Sequence, residues 1–494
     1  MKRNIYIQLF CLVLIMIGTT GCEKLLEEEP KATISLGELN PVLLDQTIIG
    51  VYEPLTRSRG RLWESRLGLY LELMSDYADG GASQKASSDY TNLLMSPNSL
   101  EPTWVCIYEA VGKANLLLAN LDANTSLSDD QKSRAYGEAY FIRALCYYNI
   151  VRIWGKVPLR LKPIVNSDDV DLPLSEIPEI YDAVIKDLKI AEVNLPAQVP
   201  SANAGRATSG AAKVMLADVY LTLKDYTNAR DKAKEVIDNK ATYGYDLEPS
   251  LATLYSPVLA TNKEDVFSLK FSQVVGAGSF WASYWADSKA KLAGYSVTGN
   301  KFGGIMSKAP IIAGWDNNDL RKQFSLYSTY IINGVVTNAE VEANNYDLRM
   351  GKYKDPNAPA DTGNGNDFYF YRYADALLIF AEAENKLNGP VNAYAAINQV
   401  RRRAYGVSLA VSSTVADLPA GLSQLQFDEL VLRERAYEFI GECKRWFDMV
   451  RTDKVAEILT GVRAAIPTPA RKPIPTKFVF GIPDIELQNN SLAR

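Results

Sequence analysis

Apolar residues recur at three- and four-residue spacings through two long blocks of the chain, which is the signature of amphipathic helices. The first block runs from about Leu43 to Ile237. Within it, Glu138-Ala139-Tyr140-Phe141-Ile142-Arg143-Ala144-Leu145-Cys146-Tyr147-Tyr148 continues to Ile153-Trp154. Gly155-Lys156-Val157-Pro158 then supplies a stop, since Gly and Pro close helices. From Gly205 to Ile237 the pattern is that of a helix hairpin: Ala217 and Tyr220, then Ala229, Ala233 and Val236. The twelve-residue step between the alanines is tetratricopeptide-like, small residues letting two antiparallel helices approach. A second hairpin follows at Ala381, Ala393, Ile397 and Val400, with Glu384 where the Tyr would stand. The pattern predicts a mainly α protein: a tetratricopeptide-like repeat scaffold interrupted by a loop-rich, irregular insertion.

That insertion spans about 241–367 and is rich in Gly, Asn, Ser, Asp and aromatics, with short strand-like runs such as Val266 to Phe271. A loop-rich stretch of this length in a compact protein is usually functional. A second one lies at about 75–102. The stretch Phe427 to Arg451 reads as one last helix, with surface ion pairs Glu442/Arg445 and Asp448/Arg451. Arg401-Arg402-Arg403 falls where basic groups compensate a helix C-terminal dipole.

The N-terminus reads as a processing signal. Lys2 and Arg3 precede an apolar run from Ile5 to Ile17, too short to span a bilayer. Gly18-Thr19-Thr20-Gly21-Cys22 resembles a bacterial lipobox, in which the Cys is lipidated and becomes the mature N-terminus. Glu27-Glu28-Glu29-Pro30 cannot start a core and reads as a solvated tether. The expected organisation is therefore a signal peptide at 1–21, a lipidated tether at 22–35, and a helical region at 36–240. A ligand-binding region at 241–367 and a second helical region at 368–494 follow.

Composition removes several functions. The 494 residues include no histidine, so a Ser-His-Asp or Cys-His site and imidazole-ligated zinc are impossible. A two-carboxylate glycosidase stays open, although nothing singles out a pair among 58 acidic residues. The formal net charge of −5 argues against a nucleic-acid partner. Cys106, Cys146 and Cys443 lie in amphipathic helical contexts at wide spacing and read as buried thiols, not a disulfide framework.

Several segments, in order, resemble the SusD/RagB family of Bacteroidetes outer-membrane lipoproteins. They are Cys22 to Pro30; Trp104, Tyr108, Ala114 and Asn115; Glu138 to Pro158; and Gly205-Arg206-Ala207-Thr208. Arg372-Tyr373-Ala374-Asp375, Ala381-Glu382-Ala383 and Asn398 to Ala404 continue the match. Glu434-Arg435, Glu438, Gly441, Arg445-Trp446-Phe447-Asp448 and Arg451 form the signature segment, and Ile482-Pro483 with Glu486 close it. Read physically, these are packing, capping and ion-pair positions of a scaffold. The resemblance implies a surface-exposed lipoprotein that captures nutrients for a SusC-like TonB-dependent transporter, most often oligosaccharide and alternatively peptide, with no cofactor and no bond breaking.

Sugar rings stack on aromatic faces while polar side chains meet their hydroxyls. The segment Gly276 to Asp287 places Trp281, Tyr284 and Trp285 within five residues, and at least one of these rings is expected in the core. Trp315, followed by acids and amides, is a further candidate, as are Asp76, Tyr77 and Tyr90 in the early loop region. The resemblance implies ligand aromatics from these same two regions. Trp63 and Trp104 read as structural. Asp361 to Asp367 has oxygen ligands near calcium-loop spacing but lacks the downstream Glu of an EF-hand, so it reads as a loop tip.

Overall fold

The long helices start and stop where their end residues satisfy the backbone. Ser128 Oγ accepts from the Gln131 N–H while Gln131 Oε1 accepts from the Ser128 N–H, a reciprocal cap that opens the helix Asp129–Trp154. Gly155, at φ +76°, ends it. Ser423 and Gln426 repeat the device for Gln424–Glu438. These features belong to a computed structural model that describes residues 39–493, apart from 58–61, 95–97, 275, 297, 343–345, 359–362 and 467–471. The signal segment 1–21, Cys22 and the tether to residue 35 lie outside the described residues.

Helices pack each on the next in a layered stack. Pro41–Thr56 lies on Glu101–Ala123, which lies on Asp129–Trp154, followed by Ile177–Asn194, Ser209–Thr222 and Tyr226–Asp238. Tyr226–Asp238 then packs directly on Tyr373–Asn388, which contacts Tyr394–Ala404 and Gln424–Glu438. The two hairpins read from the sequence are thus adjacent layers of one stack. Ala217, Ala229, Ala233, Ala381, Ala393, Ile397 and Val400 are all fully buried, which is why small residues recur at these steps. Cys106, Cys146 and Cys443 are buried free thiols.

The chain leaves the stack after Tyr226–Asp238 and returns at Tyr373. Strand Asp265–Leu269 pairs antiparallel with Phe368–Arg372 and so closes the base of this excursion. Among the described residues every sheet has two strands, so the strands clip loops together and do not form a layer of their own.

Buried ion pairs fasten the excursion to the stack. Arg372 donates to Glu438 at 2.7 Å and to Glu442 at 2.8 Å, and also pairs with Glu264. Arg321, from the excursion, reaches Glu434 at 2.7 Å and Glu438 at 2.8 Å; Lys352 reaches Glu442 at 2.6 Å. Arg403 sits between Glu264 and Glu438. Arg401 pairs with Glu434 and Arg402 with Asp417, so the three arginines are ion-pair partners beyond any dipole role.

Two expectations are corrected. Phe427 to Arg451 is not one helix: Gln424–Glu438 and Arg445–Arg451 are separated by a turn in which Gly441 (φ +77°) and Cys443 (φ +60°) take left-handed conformations. The turn swings Glu442 inward to Arg372 and Lys352, and turns Arg445 towards Asp76, so the expected Glu442/Arg445 pair does not form. Asp448 and Arg451 do pair, at 2.8 Å, but with both side chains buried. Nor is the stretch after Thr362 a loop tip. Asn364, Asn366 and Asp367 are buried, the amides donating to main-chain carbonyls and Asp367 pairing with Lys270 at 2.7 Å.

Candidate ligand-binding surface

The early loop region and the insertion meet through one short strand pair. Ala78–Gly80 runs antiparallel to Gly303–Ile305, and the Gly81 N–H donates to the Phe302 carbonyl at 3.0 Å. The Phe302 N–H in turn donates to the Tyr284 carbonyl at 3.0 Å, which ties the strand pair to the short helix Trp281–Trp285.

Most rings nominated from the sequence are spent on the core. Trp281 and Trp285 are 2% and 1% exposed and meet edge to face at 5.5 Å; Trp281 Nε1 donates to the Gly441 carbonyl at 3.0 Å. Trp315 stacks on Tyr437 at 4.5 Å and donates to Asp319 at 2.9 Å. Tyr77 is fully buried with its hydroxyl on Glu72 at 2.5 Å. Tyr90 stacks on Trp446 and donates to the Met74 carbonyl at 3.0 Å. Asp76 holds Arg445 through two 2.8 Å contacts. A ring buried in the core cannot stack on a sugar, so these five rings, with Asp76 committed to Arg445, anchor the two loop regions. Trp63 and Trp104 are likewise buried, as expected.

Tyr284 differs from the other six. It is half-buried, with its ring edge to face on half-buried Phe302 at 5.0 Å. Arg66, at the start of helix Arg66–Leu73, lies beside both: its guanidinium carbon is 5.2 Å from the Phe302 ring centre and 5.8 Å from that of Tyr284. Its Nη1 donates to Gln84 at 3.3 Å, and its Nε has no acceptor among the described residues. Tyr70, one turn along the helix, shares a 2.7 Å hydrogen bond with Ser99. The result is a platform of aromatic rings and one guanidinium plane, rimmed by an amide and hydroxyls and drawn from both loop-rich regions.

Arg66, Tyr70 and Phe302 were missed in the sequence. The i, i+4 spacing of Arg66 and Tyr70 on a helix whose other residues, Glu72 apart, are apolar was the available signal. Phe302 carried none, because only the strand pairing brings it to Tyr284. Beneath the platform the charges are structural. Burial lifts the Glu72 carboxyl to about 7, against the pull of its hydrogen bonds from Tyr77 and the Cys443 N–H. Among the described residues no group of three or more His, Cys, Asp or Glu could hold a metal ion.

Comparison with known proteins places this architecture. A family profile described as starch-binding and associating with the outer membrane matches residues 24–221, and the SusD family profile matches 277–466. Together they take in well over half of the chain. The chain belongs to the SusD/RagB family. It is 26% identical to SusD-like protein P25 of Formosa agariphila over 99% of this chain and 97% of that protein. It is 27% identical to a SusD-like protein of Bacteroides ovatus over 71% of this chain and 65% of that one. A SusD homologue of Bacteroides thetaiotaomicron superposes with a TM-score of 0.76 at 20% identity, covering 92% of this chain and 96% of the other. Surface glycan-binding protein A of the same organism, in complex with laminarihexaose, gives 0.74 at 18% identity, covering 91% and 98%.

Proposed function

We propose that this protein is a surface lipoprotein of the outer membrane, anchored through Cys22, that binds oligosaccharide and delivers it to a SusC-like TonB-dependent transporter. No covalent step is involved. The observation that carries the reading is the platform at Tyr284, Phe302 and Arg66, where two half-buried rings of the insertion meet a guanidinium whose Nε has no acceptor among the described residues. Starch, laminarin and laminarihexaose appear in the descriptions of relatives and structural neighbours, which supports a glycan as the ligand class. The anchor reading rests on the lipobox-like Gly21-Cys22 and the acidic stretch behind it.

Calorimetry of the chain against panels of neutral oligosaccharides and of peptides tests the ligand class. Heat with at least one oligosaccharide is expected, and heat with peptides alone would sink the sugar reading. For the anchor, Cys22→Ala is expected to move the protein from the outer-membrane fraction to the soluble fraction. Unchanged fractionation would rule out Cys22 as the attachment point.

A further inference from the structure

A groove of about 440 Å³ opens on the repeat half of the molecule, sharing no residue with the Tyr284 platform. Its walls are the loop between helices Ile177–Asn194 and Ser209–Thr222, the turn after Tyr226–Asp238, and the stretch that enters strand Asp265–Leu269. Tyr243 and Tyr245 stack there, with centroids 5.7 Å apart and planes at 24°. Tyr245 is buried and shares a 2.9 Å hydrogen bond with Thr208 Oγ1, while Tyr243 is half-buried on the groove side. The pair packs closely on the start of Ser209–Thr222 because residue 210 is Gly. A Cβ there would sit 2.7 Å from the Tyr245 ring and 3.0 Å from the Tyr243 ring.

The polar groups of the lining divide into two sets. Arg206 and Asp265 are committed to ion pairs, with Glu138 at 2.7 Å and Lys270 at 2.5 Å. By contrast, the Tyr243 and Ser201 hydroxyls and the exposed Lys263 ammonium have no protein partner among the described residues. A ring held flat by a buried neighbour, flanked by unspent hydroxyls and one amine, in a space of ligand-site size, matches a hydroxyl-rich ligand of little charge. We infer that this groove is a second saccharide site, stacking one sugar on Tyr243 and meeting its hydroxyls with Ser201 and Lys263. The ligand class rests on the glycan-binding reading above; the location does not.

The test is titration calorimetry of the whole chain with laminarihexaose, maltohexaose, cellohexaose and xylohexaose, comparing wild type with Tyr243→Ala, Ala204→Trp and Tyr284→Ala. Ala204→Trp fills the groove without removing any interaction, and melting temperatures near wild type certify folding. The expected result is two binding events with at least one hexasaccharide. One should weaken at least tenfold in both groove variants and persist in Tyr284→Ala. A single event, weakened by Tyr284→Ala and untouched by both groove variants, overturns this site and leaves the platform standing. No heat from any hexasaccharide removes the ligand class and both sites with it.

Discussion

Trp281 and Tyr284 stand three residues apart on the same short helix and do different jobs. One side chain is sealed against Trp285 and the Gly441 carbonyl; the other is half open beside Phe302. Trp281→Ala is therefore expected to cost about 3–5 kcal/mol of unfolding free energy in a denaturant titration, the usual cost of emptying a core ring site. Tyr284→Ala should leave the unfolding midpoint close to wild type and weaken oligosaccharide binding about tenfold, equivalent to ~1.4 kcal/mol. If Trp281→Ala left stability intact, the burial argument would be wrong. Only part of this contrast was legible beforehand. The cluster of three rings was visible, and so was the need for one to plug the core, but not which.

At the scale of elements, the turn 439–444 decides more than the helices it separates. By breaking what reads as one continuous helix, it turns Arg445 towards Asp76 and Glu442 towards Arg372. The early loop region is thereby bound to the C-terminal repeats through a buried, doubly hydrogen-bonded ion pair. Leaving Arg445 without its partner is expected to cost about 3–5 kcal/mol, because a buried charge would remain uncompensated. Asp76→Ala should therefore lower stability by that amount and speed amide exchange across 75–94. Exchange confined to its wild-type rate there would show that the loop is held by other contacts. The sequence offered the i, i+3 pairs of a surface helix. A left-handed Cys443 gives no sequence signal, since non-glycine residues take that conformation only where the surroundings impose it.

Over the whole molecule, buried carboxylates of two kinds set how stability responds to pH. Burial pushes the Glu442 carboxyl up, and Arg372 with Lys352 outweighs it, leaving it at about 2 against an ordinary 4.5. Asp448 is likewise held at about 2 by Arg435 and Arg451 against its own burial. Each is depressed in the fold, so its contribution is present above the ordinary carboxylate range and drains away as pH falls towards 2. Glu64 is the opposite case. Burial raises it from 4.5 to about 7, and its Oε2 has no hydrogen-bond partner among the described residues. Its contribution is full below 4.5 and is lost as pH rises through 7. Melting temperature should therefore fall steeply below about pH 4.5 and more gently towards pH 8. Glu72, lifted to about 7 by its own burial, contributes to the same decline, so Glu64→Gln should make the second decline shallower and leave the first unchanged. Parallel profiles for the two proteins would exclude Glu64 as a contributor.

The sequence by itself determined the helical class, the two hairpins and the two loop-rich regions, because helix periodicity, caps and small-residue steps are local properties. Capping at Ser128 and Ser423, the stop at Gly155 and the alanine steps all appear where those residues dictate. Tertiary structure alone decided that the hairpins are neighbours across the excursion, that the signature charges form a buried lattice, and that Arg66, Phe302 and Tyr284 share one surface. Those outcomes depend on pairings between residues from tens to hundreds of positions apart. Which aromatic ring stays open is fixed only by what packs over the rest.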